Sequence, residues 1–191
     1  MNLPYLKTRW DERYPTEDAE LWKRPSRFLV DHLPLIPLGR ALDVACGPGR
    51  NAVFLAQRGF VVDGVDNSRE GLTMARRFVE ETGVSVNLVF ADLDHYVIRP
   101  GAYGLIINLF YLSREIIPDL IQGLSRGGYL LFESFTSDTF RFMQAKEPRH
   151  YLEPNELLEL IRGLRVISFC EGTFIEAGMA RVTARLVARK E

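Results

Sequence analysis

The chain has 191 residues, 47% hydrophobic and 26% charged, which excludes a disordered chain and supplies enough apolar surface for one core. Its 24 Lys and Arg against 25 Asp and Glu give a net charge of -1, which excludes a strongly basic nucleic-acid coat. The two cysteines, Cys46 and Cys170, exclude a disulfide framework and stand at no metal-ligand spacing, so no metal is expected.

No run approaches the roughly 20 apolar residues of a membrane helix, and the N-terminus lacks a cleavage pattern. The expectation is a cytoplasmic, membrane-free single domain over residues 1–191, monomeric or homodimeric, with no nucleic-acid partner.

Residues 1–39 are the least regular and read as an N-terminal cap, mixing Tyr5, Trp10, Tyr14 and Trp22 with charges. A helix over 26–32 ends before Pro34. Periodicity begins at Arg40. Ala41-Leu42-Asp43-Val44-Ala45 is a short buried strand followed by a Gly47-Pro48-Gly49 turn. Residues 51–58 read as a helix stopped by Gly59, and 60–65 as a second strand. Asp66-Asn67-Ser68 supplies cap residues for a second helix, which stops near Gly83. Val84, Val86, Leu88 and Phe90 alternate as a strand with one wetter face. Residues 105–109 form an apolar central strand. A helix through Ile117, Leu120, Ile121 and Leu124 is read as stopped by Gly127-Gly128, with a strand at 129–132.

A helix at 156–162, opened by Pro154, and a strand at 164–169 complete five β-α units. Ala180, Val182, Ala184, Leu186 and Ala188 then alternate with Arg181, Thr183, Arg185, Val187 and Arg189. The connection over 172–178 is too short for a parallel crossover, so this strand is expected to be antiparallel. The fold class is α/β: a Rossmann-like, doubly wound seven-stranded sheet with its last strand antiparallel, in a core over 40–191. Residues 135–152 read as a lid insertion carrying Phe135, Phe140, Phe142, Met143 and Tyr151 among Arg141, Arg149 and His150.

In doubly wound sheets ligands bind beyond the carboxyl ends of the strands. Gly47, Gly49 and Ala52 satisfy the dinucleotide fingerprint, and Asp66 follows where a ribose acceptor belongs. Asp43 points elsewhere, because a pyrophosphate at a helix N-terminus calls for donors and not for a carboxylate. An acid there suits a ligand with a cationic end. S-adenosylmethionine has an α-ammonium and a sulfonium, a ribose for Asp66, and an adenine for the polar turn at Asp92-Leu93.

The stretch Leu42-Asp43-Val44-Ala45-Cys46-Gly47-Pro48-Gly49-Arg50-Asn51 resembles motif I of the class I S-adenosylmethionine-dependent methyltransferases. Gly64-Val65-Asp66-Asn67-Ser68 resembles that family's second-strand acid, Ala91-Asp92-Leu93 its adenine loop, and Asn108-Leu109 its fourth motif. Leu124-Ser125-Arg126-Gly127-Gly128-Tyr129-Leu130-Leu131 is similar to the stretch before its fifth strand. Gly-Arg-Asn after the glycines and Trp-Asp-Glu-Arg-Tyr near the start most resemble the tellurite-resistance methyltransferases and their small-molecule relatives.

The resemblance implies S-adenosylmethionine as cofactor and a small-molecule methyl acceptor. It implies a cofactor site of Asp43, Ala45, Gly47, Gly49, Arg50, Asn51, Asp66, Asn67, Asp92, Leu93, Asn108 and Leu109, closed by Trp10 and Arg13, with Tyr14 beside them. Ala45 departs from the family's first glycine. The loop over 173–178 lacks the His-Arg pair of the tellurite enzymes, which argues against tellurite as substrate. His150 is the candidate base for an acceptor that starts protonated. A nicotinamide-dependent oxidoreductase and a non-catalytic cofactor-binding partner protein remain as alternatives.

Overall fold

The computed structural model describes residues 9–14, 21–138, 150–176 and 179–191. Seven strands form one sheet in the order β3-β2-β1-β4-β5-β7-β6. They are β1 (Arg40–Val44), β2 (Val61–Asp66), β3 (Val86–Phe90), β4 (Tyr103–Leu109), β5 (Leu124–Phe135), β6 (Arg165–Glu176) and β7 (Met179–Arg189). The helices are α1 (Arg9–Arg13), α2 (Arg27–His32), α3 (Arg50–Gln57), α4 (Arg69–Thr82), α5 (Ile117–Gly123) and α6 (Glu156–Leu160). β1, β2, β3, β4 and β5 pair in parallel, and β7 runs antiparallel to both β5 and β6. The expected topology is therefore the observed one.

Strand alternation divides the core between the two faces. Ala41, Leu105, Ile107, Leu109, Leu131 and Val187 meet α2 and α3 through Phe28, Leu29, Ala52 and Leu55. Leu42, Val44, Ile106, Leu130, Phe132 and Leu186 meet α5 and α6 through Ile117, Leu120, Leu157 and Ile161. β1 and β4, covered on both faces, are buried almost throughout, which is why they read as continuous apolar runs. β3 is an edge strand and alternates weakly.

Three boundaries differ from expectation. β5 begins at Leu124, so Gly127-Gly128 lies inside the strand. Gly127 sits at φ 80, its N–H bonds to the Lys190 carbonyl at 2.7 Å, and the Lys190 N–H bonds back to Gly128 at 2.9 Å. A Cβ at Gly128 would lie 2.9 Å from the Ser125 carbonyl oxygen, so the glycine serves close packing. β6 and β7 stay paired as far as Glu176 and Met179, so the hairpin connection is much shorter than 172–178. α6 starts at Glu156 as expected, with Asn155 at φ 64 before it, but ends at Leu160, short of 162.

Candidate functional site

Asp43 stands on β1 opposite Ile107 of β4, hence on the face that meets α2 and α3. It is 2% exposed, and its Oδ2 has no hydrogen-bond partner among the described residues. Burial pushes its carboxyl up to about 8. The Arg50 charge and the Ala52 N–H pull it down, and the Asp66 charge pushes it further up. A buried acid left one bond short is costly, and the open oxygen can accept from a donor that reaches it.

The turn after β1 is strongly bent, with Ala45 at φ 56, Gly47 at φ 52 and Gly49 at φ 82. Ala45 takes a left-handed conformation that costs a non-glycine residue of the order of 1 kcal/mol. The glycines do more than clear space for a ligand. A Cβ on Gly47 would lie 2.6 Å from the Tyr14 hydroxyl, and one on Gly49 would lie 2.9 Å from the Ala75 Cβ on α4. Their N–H groups are used internally, Gly47 to Asp66 Oδ2 at 2.7 Å and Gly49 to the Cys46 carbonyl at 2.9 Å.

Asp66 closes β2 at 5% exposure. Its Oδ1 also accepts the Ser68 N–H at 2.7 Å. Burial raises its pKa, against the N–H bonds from Ser68, Gly47 and Asn67, and the Asp11 charge adds to the rise. An ionised carboxylate has about four lone-pair sites. Room therefore remains for hydroxyl donors. Asn67 follows it and is half-buried.

Helix α1 and Tyr14 dock directly on this end. Asp11 Oδ1 accepts from Ser68 Oγ at 2.7 Å and from the Glu70 N–H at 3.2 Å, so it caps α4 from another segment. Tyr14 is buried against Gly47 and Gly71. Trp10 stacks on Tyr14 at 5.5 Å, and the Arg13 guanidinium lies 4.9 Å from the Trp10 ring centre. Sequence reasoning passed over Asp11, whose signal is only a carboxylate near the N-terminus of a distant helix. Asn51, at the start of α3, accepts the Ser26 N–H at 2.9 Å and so ties α2 to the turn. Arg50 donates to the Arg24 carbonyl at 3.4 Å.

Other expected residues lie apart from Asp43. Asn108 pairs with Val44 and Phe132, on the opposite face of the sheet. It is fully buried, and neither amide atom has a partner among the described residues. The pleat separates it from Leu109, which shares the Asp43 face. Asp92 caps a short helical turn and holds its side chain 64% exposed, 3.0 Å from His95 Nδ1. Leu93 is buried in the core. His150 is exposed. Phe140, Arg141, Phe142, Met143 and Arg149, the middle of the expected lid, lie outside the described residues; Phe135 and Tyr151 at its ends are 6.2 Å apart by ring centres.

Beyond Leu109 the Asp43 face continues with Glu133, which is paired in register with Leu109 and with Arg185. Glu133 Oε1 accepts from Arg185 Nε at 2.9 Å and from Thr183 Oγ1 at 3.0 Å. The arginine stripe of the last strand is thus anchored here by a buried carboxylate.

Comparison with known proteins bears on this arrangement. A family described as "Methyltransferase domain" matches residues 41–127. Trans-aconitate 2-methyltransferase of Rhodopseudomonas palustris is 31% identical over 116 residues, covering 56% of this chain and 43% of that protein. Ubiquinone biosynthesis O-methyltransferase of Pectobacterium carotovorum is 32% identical over 114 residues, covering 56% and 47%. The crystal structure of TehB from Haemophilus influenzae superposes with a TM-score of 0.71 at 22% identity, covering 85% of this chain and 61% of that one. The chain spans about half the length, or less, of these two curated relatives. The structural likeness bears on the fold.

Proposed function

We infer that this protein is a class I S-adenosylmethionine-dependent methyltransferase related to TehB, and that it passes a methyl group to a small-molecule acceptor. The observation that carries the reading is Asp43: a buried carboxylate with an unbonded oxygen, behind a helix N-terminus, where an anionic dinucleotide would be repelled. A cationic ligand end satisfies that oxygen and neutralises the charge. Asp66, with lone pairs to spare at the end of β2, suits the ribose hydroxyls, as the second-strand acid should.

The residues fit the cofactor, and their roles follow from their places. Asp43 holds the ammonium end, Arg50 beside it balances the carboxylate of the same amino acid, and Asp66 fixes the ribose. Asp92 and the Leu93 backbone face the adenine edge. Trp10, Arg13 and Tyr14 close the site and exclude water. Bound S-adenosylmethionine would supply an electrophilic methyl on a positively charged sulfur. The chain has therefore to align the acceptor and keep the site dry. Relatives named for trans-aconitate and for ubiquinone biosynthesis support a small acceptor. Two free thiols suit a reducing cytoplasm.

Titration calorimetry with S-adenosylhomocysteine and with NAD tests the reading. Binding of the first and not the second is expected, with Asp66→Ala weakening it by about 1–3 kcal/mol, the range for charge-assisted hydrogen bonds. Binding of NAD alone would restore the oxidoreductase alternative. Binding without turnover on any small acceptor would leave a cofactor-binding partner protein.

A further inference from the structure

We propose that the protein has a second small-molecule site, remote from the cofactor end, which takes a single-chain amphiphile with a carboxylate head: the alkyl chain in an apolar trough between α2 and α3, the head on Arg58. The trough opens where the connection after α2 meets the C-terminal end of α3. Ile36, Phe54 and Phe60 line it and are buried, at 6–8% exposure. Leu33 and Leu38 line it too, and Leu38 is 68% exposed. Leu35, on the short helical turn Leu33–Leu35, adds a further side chain at 53% exposure. Single exposed leucines are ordinary on a protein surface, whereas an exposed apolar cluster about a concavity marks a place for a ligand or partner.

The trough lies at the far end of the sheet from Asp66 and the glycine turn. Leu38 stands two residues before β1 and Phe60 directly before β2, and the two strands join there through the Val61 N–H and the Gly39 carbonyl at 3.1 Å. Asp66 closes the same β2 at its carboxyl end. At the ordinary rise of a strand, Phe60 and Asp66 are about 20 Å apart. Helix α3 runs between the two places, with Arg50 at the cofactor end and Arg58 just beyond its last turn. The trough is therefore no part of the methyl-transfer site, and the proposal stands apart from that reading.

Charge selects the head group. Arg58 lines the trough, is exposed, and holds its guanidinium 4.8 Å from the Phe54 ring centre. Stacking on a ring uses the face of a guanidinium and leaves its N–H edge as a fork that matches a carboxylate. Every other lining residue is apolar. Asp31 of α2 and Asp63 of β2, acids of the neighbouring elements, are taken by Arg27 and Arg40. The carbonyl end of α3 carries the negative pole of its dipole, so an anionic head is held here by the guanidinium alone. Size selects the tail. The trough has a volume of about 250 Å³. An apolar cavity of ~150 Å³ takes benzene, so this one takes an unbranched chain of roughly eight carbons. A helix, about 10–12 Å across with its side chains, cannot enter it.

The test titrates octanoate, octanamide and octylammonium into the whole protein by calorimetry, with and without saturating S-adenosylhomocysteine, and follows octanoate by amide NMR. Octanoate is expected to bind with a Kd on the order of 1 mM or tighter, as suits a ligand of its size. It should bind about threefold or more tighter than octanamide, the scale of one exposed charge pair, with octylammonium weakest. Affinity should climb about fourfold per methylene from butanoate to octanoate and then level off as the trough fills. Amide shifts should gather at residues 30–38 and 54–60. Arg58→Gln should bring octanoate to the level of octanamide or below it, and Arg58→Lys should restore part of the preference. Leu38→Asp changes an exposed side chain and should melt like the wild type, yet abolish octanoate binding. The proposal is overturned if octanoate has no advantage over octanamide, if Arg58→Gln keeps that advantage, or if Leu38→Asp binds octanoate as the wild type does. It is also overturned if the shifts gather at 43–51 and 66–68 or if S-adenosylhomocysteine displaces octanoate, since the ligand would then occupy the cofactor end. Absence of saturable binding up to about 10 mM overturns it as well. So does a dimer in light scattering that Leu38→Asp dissolves and octanoate does not, because the trough would then serve a second copy of the chain.

Discussion

A carboxylate at 2% exposure with one oxygen unbonded costs the ligand-free fold free energy, and Asp43 bears that cost at the place we assign to the cofactor's cationic end. Its folded pKa of about 8 stands above the ordinary 3.8, so between those values the folded state holds a proton that the unfolded chain has lost. Stability of the ligand-free protein therefore falls as pH rises through that window. Cofactor affinity runs the other way, because the ammonium end needs the ionised acid. S-adenosylmethionine binding, measured by calorimetry in steps downward from pH 8, should weaken by up to about tenfold per pH unit. Asp43→Asn should flatten that profile while making the ligand-free protein more stable by about 1–3 kcal/mol in urea unfolding at pH 7. A variant that loses both stability and affinity would mark Asp43 as a structural residue.

Between strands the same chemistry gives the opposite sign. Asp63 of β2 accepts from Arg40 of β1 at 2.8 Å, Asn87 of β3 at 2.9 Å and Tyr103 of β4 at 2.9 Å, far from the carboxyl edge. Burial alone would raise its pKa, but the bonds from Asn87, Arg40 and Tyr103 together win and hold it below the ordinary value. Its contribution is present above the unfolded pKa and is lost as pH falls through the lower folded one. Asp63→Asn should cost about 1–3 kcal/mol at pH 7 and flatten the acid limb of the stability curve below pH 4. Elements differ in how far they show in the sequence. The parallel strands were legible because apolar runs and glycine turns are local signals. The true start of β5 was not, because Gly127-Gly128 marks a stop in most contexts and here joins a strand held by Lys190. Lys190 also donates to the carbonyls of Ile121, Gln122 and Leu124, closing α5 from the far end of the chain.

Across the whole molecule, the fold was readable and the joining of its distant parts was not. Asp43, Asp66 and the glycine turn announced themselves by spacing. The pairing of Glu133 with Arg185, the strained Phe110 and the capping of α4 by Asp11 depend on contacts that no local pattern encodes. Asp11 matters most at this scale, because it ties α1 to the N-terminus of α4, beside Asp66. It is 2% exposed, it accepts from Ser68 and Glu70, and its charge also raises the pKa of Asp66. Asp11→Ala removes an N-terminal acceptor and should cost about 0.5–2 kcal/mol of stability. The more telling effect is on distribution. Without Asp11, amide hydrogen exchange should rise at α1 and in the first turn of α4, while β6 and β7 at the far edge keep their protection. S-adenosylhomocysteine should then bind more weakly, since part of its binding energy would go into seating Trp10 and Tyr14, and its addition should restore much of the lost protection. Uniform loss of protection across the sheet would show that α1 supports the fold as a whole, and unchanged exchange in α1 would show that Tyr14 alone holds it to the glycine turn.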